Sequence, residues 1–424
     1  MDAERFFTHS LRDPRVARIL AAALDAVDPG VAVERYLTSN PLPSARRVFA
    51  LGMGKAAISM TRALSRFTTL TDALVITKHA SSLSFQPATI IESGHPVPDA
   101  RSLAAGEAAL EFVSMLREDD LLVCLISGGG SALMTAPTVP LEDLQTLTSA
   151  LLACGARIDE INTLRRHLDR VKGGGIAKAT KARVLSLILS DVVGSPLEAI
   201  ASGPTAPDPS TREGAVEILS KYSLLDELPP IILDALKKSP ETPKSDNPIF
   251  IRTQNVIVGD NNMAIQAALA QAEWACFYAE SLGSHWQGEA REMGLELARK
   301  LRVTTTSRHH PFCLIAGGET TVTIQGDGIG GRNQELALAA VPELAGLENA
   351  LLITLASDGE DGPTDAAGAI VNSETLQRAE KLGLTAADYL SRNDAYHFFE
   401  QLDDLLKIGP TGTNVNDLVF LIGV

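Results

Sequence analysis

The residues with the most chemistry in this chain sit in or beside glycine-rich loops. Gly52, Gly54 and Lys55 form a tight turn between an apolar run at 47–51 and a helix-forming segment. Ser127, Gly128, Gly129, Gly130 and Ser131 follow the apolar run LLVCLI. Consecutive glycines let the backbone approach a ligand closely, so this loop reads as a cradle for a phosphate or a carboxylate. Lys55, at a helix N-terminus, would meet such an anion as a point charge. Arg165, Arg166 and Lys172 lie on or just after an amphipathic helix that ends at three glycines, and they offer more positive charge. Asp191 stands at the tip of the run VLSLIL, where a carboxylate can hold a divalent cation beside phosphates. Glu319 follows FCLIAGG, and Arg332 stands where GDGIGG runs into a helix. An arginine at the positive end of a helix is electrostatically unfavourable unless negative charge lies there. Asp358, Glu360, Asp361 and Asp365 crowd one loop, and carboxylates so close need a cation or water among them.

Elements must place these loops together. Apolar runs at 47–51, 73–77, 88–91, 121–126 and 184–189 alternate with helical segments. That pattern predicts an α/β fold with a mainly parallel, Rossmann-like sheet covered on both faces. In such sheets ligands lie beyond the carboxyl ends of the strands. Helices are expected from about 15 to 37, broken at Asp28-Pro29-Gly30, then over 141–154 and 161–171. In the last of these Ile161, Leu164, Leu168 and Val171 share one face. The polar segment 237–248 reads as a linker, dividing the chain into an amino-terminal domain at 1–238 and a second α/β domain at 249–424. That second domain begins with NVIVG as a strand. In it FCLI is expected to end at Gly317-Gly318 and TTVTI to form a separate strand.

Composition narrows the function. The chain has 424 residues, and Lys+Arg 37 against Asp+Glu 52 leaves a net charge of −15. So acidic a protein does not suit a nucleic-acid backbone or an anionic membrane. An anionic substrate must therefore be met by local cations. The four cysteines form no CxxC pair and read as reduced core residues. The amino terminus lacks a secretory apolar core, and no apolar run reaches membrane-spanning length. A cytoplasmic protein is expected, and its oligomeric state is left open, a homo-oligomer included.

Individual motifs are weak. Gly52-x-Gly54 with Ala57 matches a dinucleotide fingerprint, but the next strand ends in Lys78-His79 rather than in the acid that would hold a ribose. A Walker A loop would need glycine at Phe49 and Ser or Thr at Ala56. No GxSxG elbow frames Ser131 as a nucleophile.

Taken in order, the segments LGMGKAA, SGHPVPDARS, LISGGGSALM, INTLRRHLDRVKGGGIA, LSDVVG with IASGPT, GGETTV with GGRNQELAL, ASDGEDGPTDAAGA and GTNVNDLVFLI resemble the glycerate 2-kinase family, whose carboxyl-terminal module is called MOFRL. The resemblance spans nearly the whole chain. It implies ATP-dependent phosphorylation of D-glycerate at the 2-hydroxyl, with Mg²⁺, in a cleft between two α/β domains. It also implies that Lys55 and Arg332 are essential. On this reading Asp191, Glu319 and Asp358 hold the metal, Asp191 also serving catalysis. Ser127 to Ser131 cradle a phosphate or the glycerate carboxylate, which Arg165 or Lys172 pairs. Many relatives carry an aspartate where this chain has Ser195-Pro196, so no metal ligand is assigned there. Two rival readings remain: an NAD(P)H-dependent hydroxypyruvate reductase, a label also given to members of this family, and a nucleotide- or sugar-acid-binding protein without turnover.

Overall fold

In the computed structural model, residues 1–79, 87–308 and 311–424 are described. The chain divides into two compact units, one formed by Pro29–Val258 and the other by Met1–Asp28 with Gly259–Val424.

The first unit is built on strands β1 (Val48–Met53), β2 (Asp72–Thr77), β3 (Ala88–Glu92), β4 (Leu121–Ile126), β5 (Arg183–Leu189) and β6 (Thr253–Gly259). They lie in the order β3-β2-β1-β4-β5-β6. The pairs β1/β2, β2/β3, β1/β4 and β4/β5 are all parallel. This is the doubly wound order of a Rossmann sheet. Alternate residues such as Leu51, Met53, Cys124 and Ile126 fill one packed core. Their neighbours Ala50 and Leu125 are equally buried, which is why these strands read as unbroken apolar runs. A separate helical core forms around Leu147, Leu151, Leu164, Leu219 and Leu236.

The second unit holds β7 (Tyr278–Glu289), β8 (Phe312–Thr321), β9 (Ala350–Ala356), β10 (Ile370–Asn372) and β11 (Asp417–Gly423), in the order β10-β9-β11-β8-β7. Here β7 and β8 are parallel, while β11 runs antiparallel to both β8 and β9.

Four expectations are corrected. The amino-terminal helix Pro14–Ala26 belongs to the second unit, where it packs on the helix Asn261–Trp274. Arg15 stacks over Phe277 and Thr413 Oγ1 donates to the Val27 carbonyl. Chain order alone gives no sign of this return. The segment 237–248 is not a free linker. Glu241 meets His167 at 2.9 Å and Thr242 meets Asp208 at 2.9 Å, so it lies against the first unit and leads into β6, that unit's edge strand. TTVTI is not a separate strand, because β8 runs on through Gly317 and Gly318, paired there on both sides, and continues along β7 to Thr321. Cys124 and Cys313 are buried as expected, but Cys154 and Cys276 are exposed at helix ends.

Candidate active site

The order of the first sheet reverses between β1 and β4, and the two glycine loops meet there. The loops are tied together by hydrogen bonds. Lys55 N–H donates to the Gly128 carbonyl at 3.0 Å, and Ser127 N–H to the Met53 carbonyl at 3.0 Å. Ser127 Oγ accepts from Ala56 N–H at 3.1 Å. The fit depends on glycine. Gly54 has φ +118°, and a Cβ there would lie 2.3 Å from Ser127 Oγ. A Cβ on Gly128 would lie 2.1 Å from Asp191 Oδ2.

This brings Lys55, Ser127, Gly128 and Asp191 together at one edge of the sheet. Asp191 follows β5, the strand next to β4, so its carboxylate reaches the same edge. The structure adds His95. Beside Gly129 a Cβ would stand 3.1 Å from His95 Cδ2 and 3.5 Å from Lys55 Cγ. Burial, then the charges of Lys55 and Lys78, hold the His95 imidazole below its usual range, so the neutral ring is favoured. The motif SGHPVPDARS contained this histidine, but nothing in its spacing ties it to a loop 34 positions onward. Ser131 Oγ is paired with Ser202 Oγ at 2.7 Å. The facing loop is strained, with Ala201 at φ 49° and Ser202 at φ 61°. Left-handed non-glycine residues persist only where surrounding contacts hold them.

The basic group divides. Lys172 is buried and bound to Asp169 at 2.6 Å. Arg166 is buried against Asp208, Nε to Oδ1 at 2.9 Å, a structural pair. Arg165 differs. It is half-buried, has no hydrogen-bond or ion-pair partner among the described residues, and shares a cavity with Ser131 and Lys172.

In the second unit Arg332 opens the helix Arg332–Leu344. Its guanidinium donates from Nε to Asp417 Oδ2 at 2.6 Å and from Nη1 to Glu319 Oε1 at 2.7 Å. Burial opposes its charge, but Asp417 and Glu319 more than compensate and hold the guanidinium protonated. The helix N-terminus is met by a different carboxylate. Asp361 accepts from Asn333 N–H at 3.1 Å and Gln334 N–H at 2.8 Å. Those N–H groups are the helix's orphan donors. In the sequence Asp361 is only one of four crowded carboxylates, and Asp417 only part of the segment GTNVNDLVFLI. Their importance comes from pairing with the start of the helix Arg332–Leu344, which sequence distance hides. Glu319 is thus engaged with Arg332. Asp358 lies in the loop after β9 and accepts from Glu360 N–H at 3.2 Å. Among the described residues, no cluster of three or more His, Cys, Asp or Glu side chains within either unit is arranged to hold a metal ion.

A doubly wound parallel sheet with a glycine loop and lysine at its switch point, joined to a mixed-sheet unit, defines a Rossmann-like two-unit α/β protein. Residues 15–237 match the family profile described as a domain of unknown function (DUF4147), and residues 312–417 match the MOFRL family. The chain is 37% identical to a glycerate 2-kinase of Pyrococcus horikoshii over 96% of each chain. It is 40% identical to a D-glycerate 2-kinase of Thermotoga maritima, over 95% of this chain and 96% of that one. A solved structure of glycerate kinase from Thermotoga maritima matches with a TM-score of 0.90 at 40% identity, covering 96% of this chain and 98% of that chain. This chain belongs to the glycerate 2-kinase family.

Proposed function

We propose that this protein transfers the γ-phosphoryl group of ATP to the 2-hydroxyl of D-glycerate, giving 2-phosphoglycerate and ADP. The observation that carries the reading is the loop pair at the switch point. There Lys55 and Asp191 flank a backbone cradle in which Gly128 leaves no room for a side chain. Phosphoryl transfer asks little covalent chemistry of a protein and much positioning and charge neutralisation.

Each residue has a part of that kind. Lys55 supplies a point charge to the transferring group, and the Ser127 to Ser131 loop holds phosphate oxygens. His95, held neutral, adds a hydrogen-bonding group without further charge. Arg332 supplies a second cation whose direction is fixed by Asp417 and Glu319. Magnesium is usually bound by one or two carboxylates together with substrate phosphates. Asp191, half-buried beside the cradle, fits that pattern and would hold the ion. The bound ion would neutralise charge on the phosphate chain. Glu319 is committed to Arg332 and Asp358 to its own loop, so the proposal rests the metal on Asp191.

The reductase alternative is less well supported. Where a dinucleotide site wants an acid after β2, this chain has Lys78, and Lys78 and Lys55 both act on His95. The reduced cysteines and the absence, among the described residues, of a helix long and apolar enough to cross a membrane are in keeping with a cytoplasmic reaction.

Phosphorus NMR of D-glycerate, ATP and Mg²⁺ with the protein tests the reading. It predicts resonances of 2-phosphoglycerate and ADP. Phosphorylation at the 3-position, or ATP left intact, overturns it. Hydroxypyruvate-dependent loss of NADH without ATP would establish the reductase instead.

A further inference from the structure

The cavity beside the glycine loop is larger than a three-carbon acid needs. It holds about 510 Å³ and lies wholly within the first unit, with Val97, Leu144, Leu152, Ser131, Arg165 and Lys172 among its walls. Glycerate would leave most of that space to water, whereas pockets of about 300–1,000 Å³ suit much larger ligands. The walls differ in character. Along the helix Leu141–Ala153, Leu141, Leu144 and Leu152 alternate with the uncharged polar Gln145, Thr148 and Ser149, and Leu152 and Val97 stand exposed at 64% and 62%. Large apolar side chains gathered in a concavity mark a ligand face more than scattered ones do. Toward Ser131 the wall is cationic. Asp169 neutralises Lys172, which leaves Arg165 as a half-buried guanidinium with no acceptor among the described residues.

We propose that this cavity takes the nucleoside of the phosphoryl donor, its base against Val97, Leu144 and Leu152, and that Arg165 meets an oxygen of the phosphate chain as it passes Ser131 toward the glycine loop. The assignment rests on the kinase reading above. A planar guanidinium suits phosphate oxygens, and a partner would relieve the cost of burying its charge. Arg165 is then a donor-binding residue, not a partner of the glycerate carboxylate.

Two variants test it in the full-length protein. Ser149 lines the cavity from the exposed side of its helix, so Ser149→Trp fills the space without entering the core. Arg165→Gln removes the charge alone. Titration calorimetry with ADP should show affinity at least about tenfold weaker in each variant. The KM for D-glycerate should stay within about twofold of wild type, since the acceptor is placed elsewhere. Thermal unfolding shows whether each variant is folded, and if Ser149→Trp is not, Arg165→Gln decides. Unchanged ADP affinity in a folded variant overturns the proposal, as does a raised KM for D-glycerate with ADP binding intact. If wild type binds ADP and both variants lose it, but no phosphoglycerate forms, the kinase reading falls and the nucleoside pocket stands.

Discussion

Arg332 and Asp417, 85 positions apart, form a fork in which one carboxylate takes two guanidinium hydrogen bonds, at 2.6 and 3.2 Å. Asp417 begins β11 and Arg332 begins a helix, so the pair joins the sheet to the helix N-terminus. Its side chain is only 8% exposed, while that of Arg332 is 31% exposed. Removing one partner of a largely buried pair leaves the other charge uncompensated. Asp417→Ala should therefore destabilise the protein by about 3 kcal/mol, the lower end of the buried-pair range. Urea denaturation measures this, and a loss below about 1 kcal/mol, the size typical of exposed pairs, would contradict it.

The cradle makes a sharper prediction about space. Gly128→Ala puts a methyl group 2.1 Å from Asp191 Oδ2, so the loop or the carboxylate must move. Displacements of this size at a reacting centre cost about 10²-fold in rate. Turnover should fall by about that factor while the melting temperature shifts only slightly, because Asp191 lies on the loop edge and not in the core. Steady-state kinetics beside a thermal melt separate the two effects. Wild-type turnover in Gly128→Ala would show that the close approach has no part in catalysis.

How much of this was legible follows from where each signal lives. The first sheet announced itself because β1, β2, β4 and β5 are buried on both faces, so unbroken apolar runs point to strands. Lys55, the glycine loop and Asp191 could then be placed by the rule that strand ends gather ligands. The second unit gave less. Gly317 and Gly318 look like a strand end, yet they pair within β8, where glycine weakens the propensity signal without breaking the ladder. Asp417 was hidden because its partner is distant in sequence. The amphipathic helix Pro14–Ala26 shows an apolar face but not which unit it covers. His95 and Asp361 acquire meaning only through neighbours that folding supplies.

Lys55 and His95 can be tested against each other. Lys55 is exposed, so its removal should leave stability unchanged. Its charge is one of the causes that keep the His95 imidazole below its usual range, after burial. Lys55→Met should therefore raise the His95 pKa, seen as a shift of its ring-proton titration by NMR. It should also cut turnover by about a hundredfold or more, the cost of losing one transition-state donor. A titration that stays put would mean that the two side chains are not electrically coupled.

Stability should carry a pH signature from Asp361. Burial, then the nearby Asp417, pushes its carboxyl up to about 7 against the N–H donors that favour ionisation. The folded state then holds a proton between about pH 4 and pH 7 that the unfolded state has lost. Stability must therefore fall as pH rises through that window. Below it both states are protonated, and above it both are ionised. In Asp361→Asn the fall should be shallower, with the difference between the two proteins on the order of a few kcal/mol across the window. Urea denaturation at intervals from pH 4 to pH 8 supplies the comparison. Parallel curves for the two proteins would place the titration elsewhere.

Glu319 separates two roles that its position at the end of a strand left open. As a magnesium ligand it would set the metal requirement. As the partner of Arg332, bonded at 2.7 Å, it sets the direction of a guanidinium. Glu319→Gln keeps the size and an accepting oxygen but removes the charge, so it weakens the hold on Arg332 without emptying the space. The structure favours positioning, because Glu319 is engaged and Asp417 remains to hold the other edge of the guanidinium. Turnover should then fall by about tenfold, a partial loss compared with removing a transition-state donor outright. The Mg²⁺ concentration for half-maximal rate should not change. A ligand role predicts the reverse: a Mg²⁺ requirement raised tenfold or more, with turnover restored at saturating metal. Asp191→Asn serves as the contrast, since the same titration should shift strongly for the carboxylate assigned to the ion.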